Sequence, residues 1–323
     1  MRVFKLAVIL ASLMLVLPAG ARDFTSSDVF PADYPTVRAV AYMADLMRER
    51  SDGRLNLSNL GADDHTTESY TLGQLRNGTL DMARVSLAVL NSAAPTTVVL
   101  TLPYLFRSTE HERQVLDGPI GQEILASLEP AGFIGLCFYD VGPRSTYGTK
   151  PVRKPADLRG LKYRIQQSSN WAPMVRAMGA QPVVMPLFRG QASMRAGVVD
   201  LADGNWSSFV ASQHHRAATA FSLTQHVRSP GVLLFSRHVW ETLSSSEKAI
   251  IRDAARDSVA FHRRLWDDHE AAARRVAEAA GIQVISDIDY AGFASVLTPL
   301  HDTLVSGARL KSMIERIKAS GTR

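Results

Sequence analysis

A segment near the end of the chain, Ser245 to Ala280, contains neither glycine nor proline, the residues that most often interrupt a helix. Ser245 and Glu247 mark its start. Its apolar residues recur at helical spacing, at Ile250, Ala254, Phe261, Leu265, Ala272 and Val276. At about 1.5 Å per residue, this helix would extend ~54 Å, which is longer than one domain. We therefore expect the chain to fold into more than one domain along this helix.

Composition supports two domains and excludes some functions. After removal of a leader, about 300 of the 323 residues remain, and 46% of the chain is hydrophobic, enough for a large core. The pI is near 9.4, but charges of both signs are interspersed and no Lys/Arg run exceeds two residues, so nucleic-acid binding is not expected. Cys137 is the single cysteine and lies in the apolar run FIGLCFY, which predicts a buried thiol and no intrachain disulfide.

Residues 1–21 have the organisation of an export signal. Arg2 and Lys5 precede the apolar run LAVILASLMLVL, and Ala19-Gly20-Ala21 supplies a small-residue cleavage site. No later apolar run approaches the ~20 residues of a transmembrane helix. We expect cleavage after Ala21 and a soluble mature chain in the periplasm, with an uncleaved membrane anchor as the alternative.

The segment from Leu161 to Phe209 predicts a β-α-β-α-β unit. Its first strand, LKYRIQ, alternates apolar and polar residues, which puts the cation Arg164 on one face of a half-buried strand. Arg144 is a second cation that follows an apolar strand. In open α/β sheets, ligands bind beyond the carboxyl ends of the strands. Arg144 and Arg164 are therefore candidates to bind a carboxylate through the planar guanidinium fork. The alternative is that each arginine pairs with an acid on the sheet rim.

The motifs RIQQS, AMGAQPVVMP and GVVD, followed by Asn205-Trp206, resemble the signature of the DctP-type extracytoplasmic solute-binding proteins of TRAP transporters, the tripartite ATP-independent periplasmic carriers of organic acids. RNGTLDM at 76–82 and LPYLFR at 102–107 extend the resemblance through the first half of the chain. The resemblance implies an α/β, two-lobed periplasmic binding protein of the type II-like class, with the long helix bridging both lobes. The implied division is 22–141 plus 230–268 for lobe 1 and 142–229 plus 269–323 for lobe 2.

The resemblance also implies roles for individual residues. Arg164 corresponds to the arginine that holds the substrate carboxylate, and further ligand contacts are implied for Arg144, Glu68, Ser86, Asn205, Trp206 and Phe30. For Glu68, Ser86 and Asn205-Trp206, a capped turn or a packed indole is an equal alternative.

Two positions depart from the family pattern. Arg189 replaces a usual glutamate, and Gly204 stands at the position of a ligand-binding asparagine, with Asn205 next. Loss of an amide contact costs ~1 kcal/mol, so a different mode of ligand binding is expected. Arg189 either enters the cleft, where it would suit a dicarboxylate or aldarate, or faces solvent. Among the subgroups of the family, the resemblance favours binders of sugar acids such as uronates.

The predicted function is therefore capture of a small organic acid and its delivery to the small and large membrane permease subunits, by a monomer without cofactor or metal. The motifs H-E-x-x-H and G-x-S-x-G and a glycine-rich phosphate loop are absent from the sequence, so no enzyme is predicted. Two alternatives remain. One is a ligand-sensing partner of a periplasmic receptor, and the other is an exported hydrolase or lyase that uses Asp203 and a histidine.

Overall fold

The computed structural model of the protein describes residues 20–61 and 67–321. The predicted signal peptide at 1–21 lies almost entirely outside this range, as do His65 and Thr66. Within the described residues, no helix combines the length and the apolar character that a membrane span requires.

Eleven strands in the described residues form two sheets. They are β1 Arg22–Ser27, β2 Leu55–Leu60, β3 Met82–Ser86, β4 Phe133–Tyr139, β5 Pro143–Gly148, β6 Lys162–Ile165, β7 Gln181–Val184, β8 Leu201–Gly204, β9 Ala220–Arg228, β10 Gly231–Ser236 and β11 Gln283–Ile285. The first sheet has the order β2-β1-β3-β10-β4, and the second has the order β11-β9-β5-β8-β6-β7. The described chain passes between the sheets after β4, after β9 and again after β10. The predicted two-lobed α/β fold is confirmed.

Helices cover both sheets. They are α1 Pro35–Arg50, α2 Glu68–Asn77, α3 Thr109–Asp117, α4 Pro119–Ala126, α5 Trp171–Ala177, α6 Gly190–Arg195, α7 Trp206–Ala211, α8 Arg237–Trp240, α9 Ser245–Ala279, α10 Tyr290–Leu297, α11 Leu300–Leu304 and α12 Ala308–Ala319. The alternation of strands with helices in β6-α5-β7-α6-β8 is the unit that the sequence predicts. Its last strand begins at Leu201, because the backbone N–H of Val198 donates to the Ser193 carbonyl and closes the end of α6.

The long helix α9 bridges the lobes, as predicted. It has 35 residues, and its N-terminus carries a reciprocal capping box in which Ser244 Oγ accepts from the N–H of Glu247 and the Glu247 carboxylate accepts from the N–H of Ser244. Near its start, Ile251 packs in the core of the first sheet. Near its end, Ala277 packs in the core of the second. Each lobe therefore uses a different stretch of this helix to complete its core.

The last helix corrects the predicted lobe division. The division assigned 269–323 to lobe 2, but Met313, Ile314 and Ile317 of α12 and Val305 before it are buried in the core of the first lobe. The earlier part of this segment belongs to the second lobe, where Ala277 of α9 is buried, β11 joins the second sheet, and α10 packs through Phe293 and Leu297. The amphipathic pattern of α12 predicts a buried face but not which lobe covers it.

Cys137 is buried in β4. Burial raises the pKa of its thiol to about 12, so the thiol stays protonated near neutral pH. The predicted buried thiol is confirmed.

The capping box of α9 generates a stability prediction. Substitution Ser244→Ala removes a hydrogen-bond acceptor for the first turn and is expected to lower the free energy of unfolding by about 0.5–2 kcal/mol. Urea unfolding followed by circular dichroism measures this change. Ser245→Ala, one residue along and outside the cap, is the matched control and should leave the midpoint nearly unchanged; equal losses for both variants would contradict the assignment.

Candidate functional site

A cavity of about 250 Å³ lies between the two sheets. Residues that follow the carboxyl ends of strands line it from both lobes, including Phe30 after β1, Gln166 after β6 and Asn205 after β8. Arg144 reaches the same edge from the start of β5, because β5 runs antiparallel to β8. The topology therefore gathers side chains from distant parts of the chain at one crevice.

Lining residues of the two lobes contact each other at two places. Ser69 Oγ donates a hydrogen bond of 3.0 Å to Gln167 Oε1. The rings of Phe30 and Phe188 meet edge to face with centroids 6.2 Å apart. The structure therefore has the two lobes in contact around an internal space.

Arg164 is a buried cation that lines the cavity. Tyr163 and Ile165 on either side of it in β6 point into the hydrophobic core, so the strand turns Arg164 to the opposite face and into the cavity wall. Arg164 is only 2% exposed to solvent. Nε and Nη2 both donate to the carbonyl of Met185, at 3.1 and 2.9 Å, and no carboxylate in residues 20–61 and 67–321 pairs with it. Burial lowers the pKa of this guanidinium from its ordinary value, yet an arginine remains charged.

Arg144 also lines the cavity, but it has a buried partner. Its Nε donates to Asp203 Oδ2 at 2.6 Å and its Nη2 to the Asp203 carbonyl at 2.8 Å. Trp171 Nε1 donates to the same carboxylate at 3.1 Å. Burial acts to raise the pKa of Asp203, but the adjacent Arg144 outweighs it, and the pKa lies below its ordinary value. Arg144 therefore pairs with an acid, as the alternative expected, and it also lines the cavity.

A third arginine, Arg84 in β3, is a lining residue that the sequence analysis missed. Its Nε donates to Asp28 Oδ2 at 2.9 Å, its Nη2 pairs with the other oxygen of Asp28, and its Nη1 lies 3.5 Å from Glu68 Oε1. The guanidinium carbon is 5.0 Å from the centroid of the Phe30 ring. A Cβ at Gly231 would lie 2.8 Å from Arg84 Cδ, so glycine there leaves room for this side chain. A cation inside the apolar strand MARVS is the same signal that identified Arg164.

Glu68 and Ser86 meet at the first-lobe wall. Glu68 is the first residue of α2, which Thr67 caps, and its Oε1 accepts from the backbone N–H of Ser86 at 2.6 Å. Burial raises the pKa of Glu68, while Arg84 and this hydrogen bond oppose the rise. Ser86 Oγ lies 2.9 Å from Ser229 Oγ. Both residues line the cavity, and their contact with a ligand stays a prediction.

On the second-lobe wall, Asn205 and Gln166 offer amide groups. Asn205 caps α7 by accepting from the N–H of Ser208 at 2.8 Å, and it donates to the Val141 carbonyl at 2.8 Å. It is therefore a capping residue that also lines the cavity. Gln166 Nε2 is a buried atom with no hydrogen-bond partner among the described residues. An unpartnered amide that lines a cavity is available to a ligand.

Three predicted site residues do not line this cavity. Arg189 is exposed, whereas Leu187 and Phe188 of the same turn face the cavity. The Trp206 indole stacks on Phe221 with ring centroids 3.6 Å apart, which is the packed alternative. A Cβ at Gly204 would lie 2.7 Å from Ser208 Oγ, so the strand has no room for a side chain at this position.

The acid and the histidine of the enzyme alternative do not line the cavity. Asp203 and His226 are both fully buried, with His226 Nε2 3.9 Å from Asp203 Oδ2, and neither lines the cavity. Burial lowers the pKa of His226 to about 4. Across the described residues, no group of three or more His, Cys, Asp or Glu side chains is arranged to hold a metal ion.

Residues 26–307 match the profile of DctP, described as bacterial extracellular solute-binding protein, family 7. The chain belongs to the DctP family. The match covers both lobes and the bridging helix, so the family assignment made from the motifs is confirmed.

Solved structures of DctP-like proteins share this fold. A TRAP periplasmic solute-binding protein from Bradyrhizobium sp. BTAi1, in complex with α/β-D-galacturonate, is 44% identical with a TM-score of 0.91, over 93% of this chain and 100% of that one. One from Xanthobacter autotrophicus Py2 with bound β-D-galacturonate is 42% identical with a TM-score of 0.89, over 92% and 99%. One from Pseudomonas putida F1 with bound D-glucuronate is 29% identical with a TM-score of 0.90, over 94% and 98%.

The Arg144–Asp203 pair of this DctP-family protein generates a second prediction. Substitution Asp203→Asn leaves the buried Arg144 charge uncompensated and is expected to cost about 3–5 kcal/mol of unfolding free energy. Because the pKa of Asp203 is lower in the folded protein than the unfolded value of ~3.9, this stabilisation is complete above that pH and is lost as pH falls through the folded-state pKa. Urea unfolding near neutral pH measures the loss.

Asp287→Asn is the matched control. Asp287 accepts from Arg153 at 2.8 Å, but its side chain is 71% exposed, so this substitution should cost ~0–1 kcal/mol. Similar losses for the two variants would contradict the structural role assigned to Asp203.

Proposed function

We propose that this protein is the periplasmic subunit of a TRAP transporter and that it binds a hexuronate, with Arg164 holding the carboxylate. The observation that carries the proposal is the Arg164 guanidinium, which is buried at a cavity wall without an acidic partner among the described residues. A buried cation costs free energy unless an anion compensates it. An anionic ligand in the cavity would supply that compensation.

The donors that remain on Arg164 favour a carboxylate. The guanidinium has five N–H groups, and its two hydrogen bonds to Met185 leave the others for a ligand. Arg144, which lines the same cavity, adds a second guanidinium whose hydrogen bonds to described residues use only Nε and Nη2. A planar carboxylate accepts two parallel hydrogen bonds from such a fork, and charge assistance strengthens them.

The rest of the cavity supports a polyhydroxylated ligand. Amide and hydroxyl groups that can exchange hydrogen bonds with sugar hydroxyls line both walls, at Ser86, Gln166, Gln167, Asn205, Ser208 and Ser229. Phe30 and Tyr34 are stacked with centroids 3.8 Å apart and give one wall an aromatic surface for the apolar face of a sugar ring. The bound ligands of the similar proteins from Bradyrhizobium, Xanthobacter and Pseudomonas, all hexuronates, support the same class.

The transport role follows from the family. After cleavage of the export signal at 1–21, the mature monomer captures its ligand in the periplasm and delivers it to the small and large permease subunits. It changes no bonds in the ligand. The bridging helix α9 and the two strand crossovers allow the lobes to separate and to close around the ligand.

Isothermal titration calorimetry with D-galacturonate and D-glucuronate tests the proposal. We expect binding at about micromolar or tighter Kd, and Arg164→Ala should weaken it at least ~30-fold because truncating one partner of a buried charge pair costs about 2–5 kcal/mol. Arg189→Ala removes an exposed arginine and should stay within about twofold of the natural protein. Unchanged binding by Arg164→Ala, or no binding of either uronate by the natural protein, would refute the proposal.

A further inference from the structure

The two walls of the cavity carry opposite net charge among the described residues. On the first-lobe wall, the single guanidinium of Arg84 faces the two carboxylates of Asp28 and Glu68, which leaves one net negative charge. On the second-lobe wall, Arg144 pairs with the carboxylate of Asp203 behind it, and Arg164 has no carboxylate partner among the described residues, which leaves one net positive charge. The cavity as a whole is balanced but polarised from lobe to lobe.

Asp28 is committed to the protein. It is 2% exposed, and its carboxylate accepts from Thr36 Oγ1 at 2.7 Å and from the N–H of Phe30 at 3.1 Å in addition to Arg84. It pairs with Arg84 through both carboxylate oxygens. The charge of Arg84 is therefore neutralised inside the wall, and this guanidinium is not free to take a second carboxylate from a ligand.

Glu68 is the acid of this wall that lines the cavity. Its side chain is 14% exposed. Oε1 is occupied by the N–H of Ser86, but Oε2 accepts no hydrogen bond from the part of the chain that the structure describes. An ionised carboxylate only accepts hydrogen bonds, so Oε2 can take a hydroxyl donor but repels another carboxylate.

We propose that Glu68 makes the site selective for acids with one carboxylate, and that the first-lobe wall rejects aldarates and other diacids of the same length. The inference rests on the proposed function, since the ligand carboxylate at Arg164 directs the other end of the molecule toward Glu68. It resolves the choice between a uronate and an aldarate in favour of the uronate. Rejection arises from like charge and from the missing hydroxyl donor, which is a repulsive element of specificity.

The test compares two open-chain acids that differ only at one end. L-galactonate has a CH₂OH group where galactarate has a second carboxylate, so the pair isolates charge from ring shape. Titration calorimetry at about pH 8, where carboxylates are ionised, should give a Kd for L-galactonate at least ~10-fold lower than for galactarate. D-galacturonate, measured in parallel, reports on the proposed function itself.

The variant Glu68→Gln keeps an acceptor for the Ser86 N–H and removes the charge. It should bring the L-galactonate and galactarate affinities to within about threefold of each other. Glu49→Gln, an exposed glutamate on α1, is the matched control and should preserve the selectivity of the natural protein. Thermal melting verifies that both variants are folded, and the comparison of ligands on the natural protein stands without them.

The outcomes separate the two proposals. If D-galacturonate binds and galactarate binds as tightly as L-galactonate, the selectivity is refuted while uronate binding stands. If both open-chain acids are equally weak beside D-galacturonate, shape rather than charge excludes the diacid, and the inference is overturned. If a folded Glu68→Gln variant retains the full discrimination, Glu68 is not its source. If D-galacturonate does not bind, both proposals fall.

Discussion

The site depends on the buried charge of the Arg164 guanidinium. The fold buries this positive charge, and no carboxylate of the described residues compensates it. The neighbouring arginines do not share this property, since Arg84 and Arg144 each have a buried aspartate. A cavity lined by three cations would attract any polyanion. Internal pairing of two of them leaves a single uncompensated positive charge at Arg164, with polar groups around it.

The position of that site follows from topology. The parallel strands β6 and β8 bring Arg164 and Asn205 to one edge, and the antiparallel β5 returns Arg144 to it. The first lobe contributes its wall through β1, β3 and the start of α2. Because the walls belong to different lobes, the distance between the positive wall and the negative wall depends on the angle between the lobes.

Much of this could be predicted from residue patterns. The bridging helix, the β-α-β-α-β unit and Arg164 each follow from spacing and from a cation in an apolar strand. Arg84 is also a cation in an apolar strand, MARVS, but it lies outside the motifs that indicate Arg144 and Arg164. Pattern could not separate Asn205, which faces the cavity, from Trp206, whose indole packs on Phe221, because both residues begin the same turn. The lobe that covers α12 depended on long-range packing that periodicity does not encode.

The placement of α12 has a consequence for how the polypeptide matures. Met313 and Ile317 of α12 complete a core whose other members include Leu75 and Leu102, from a far earlier part of the chain. Neither lobe is formed by one continuous segment of the chain. Dividing the chain at a single point would therefore not yield a half that contains one complete lobe. The first lobe therefore reaches its native core only after the ribosome has synthesised both later crossings and α12.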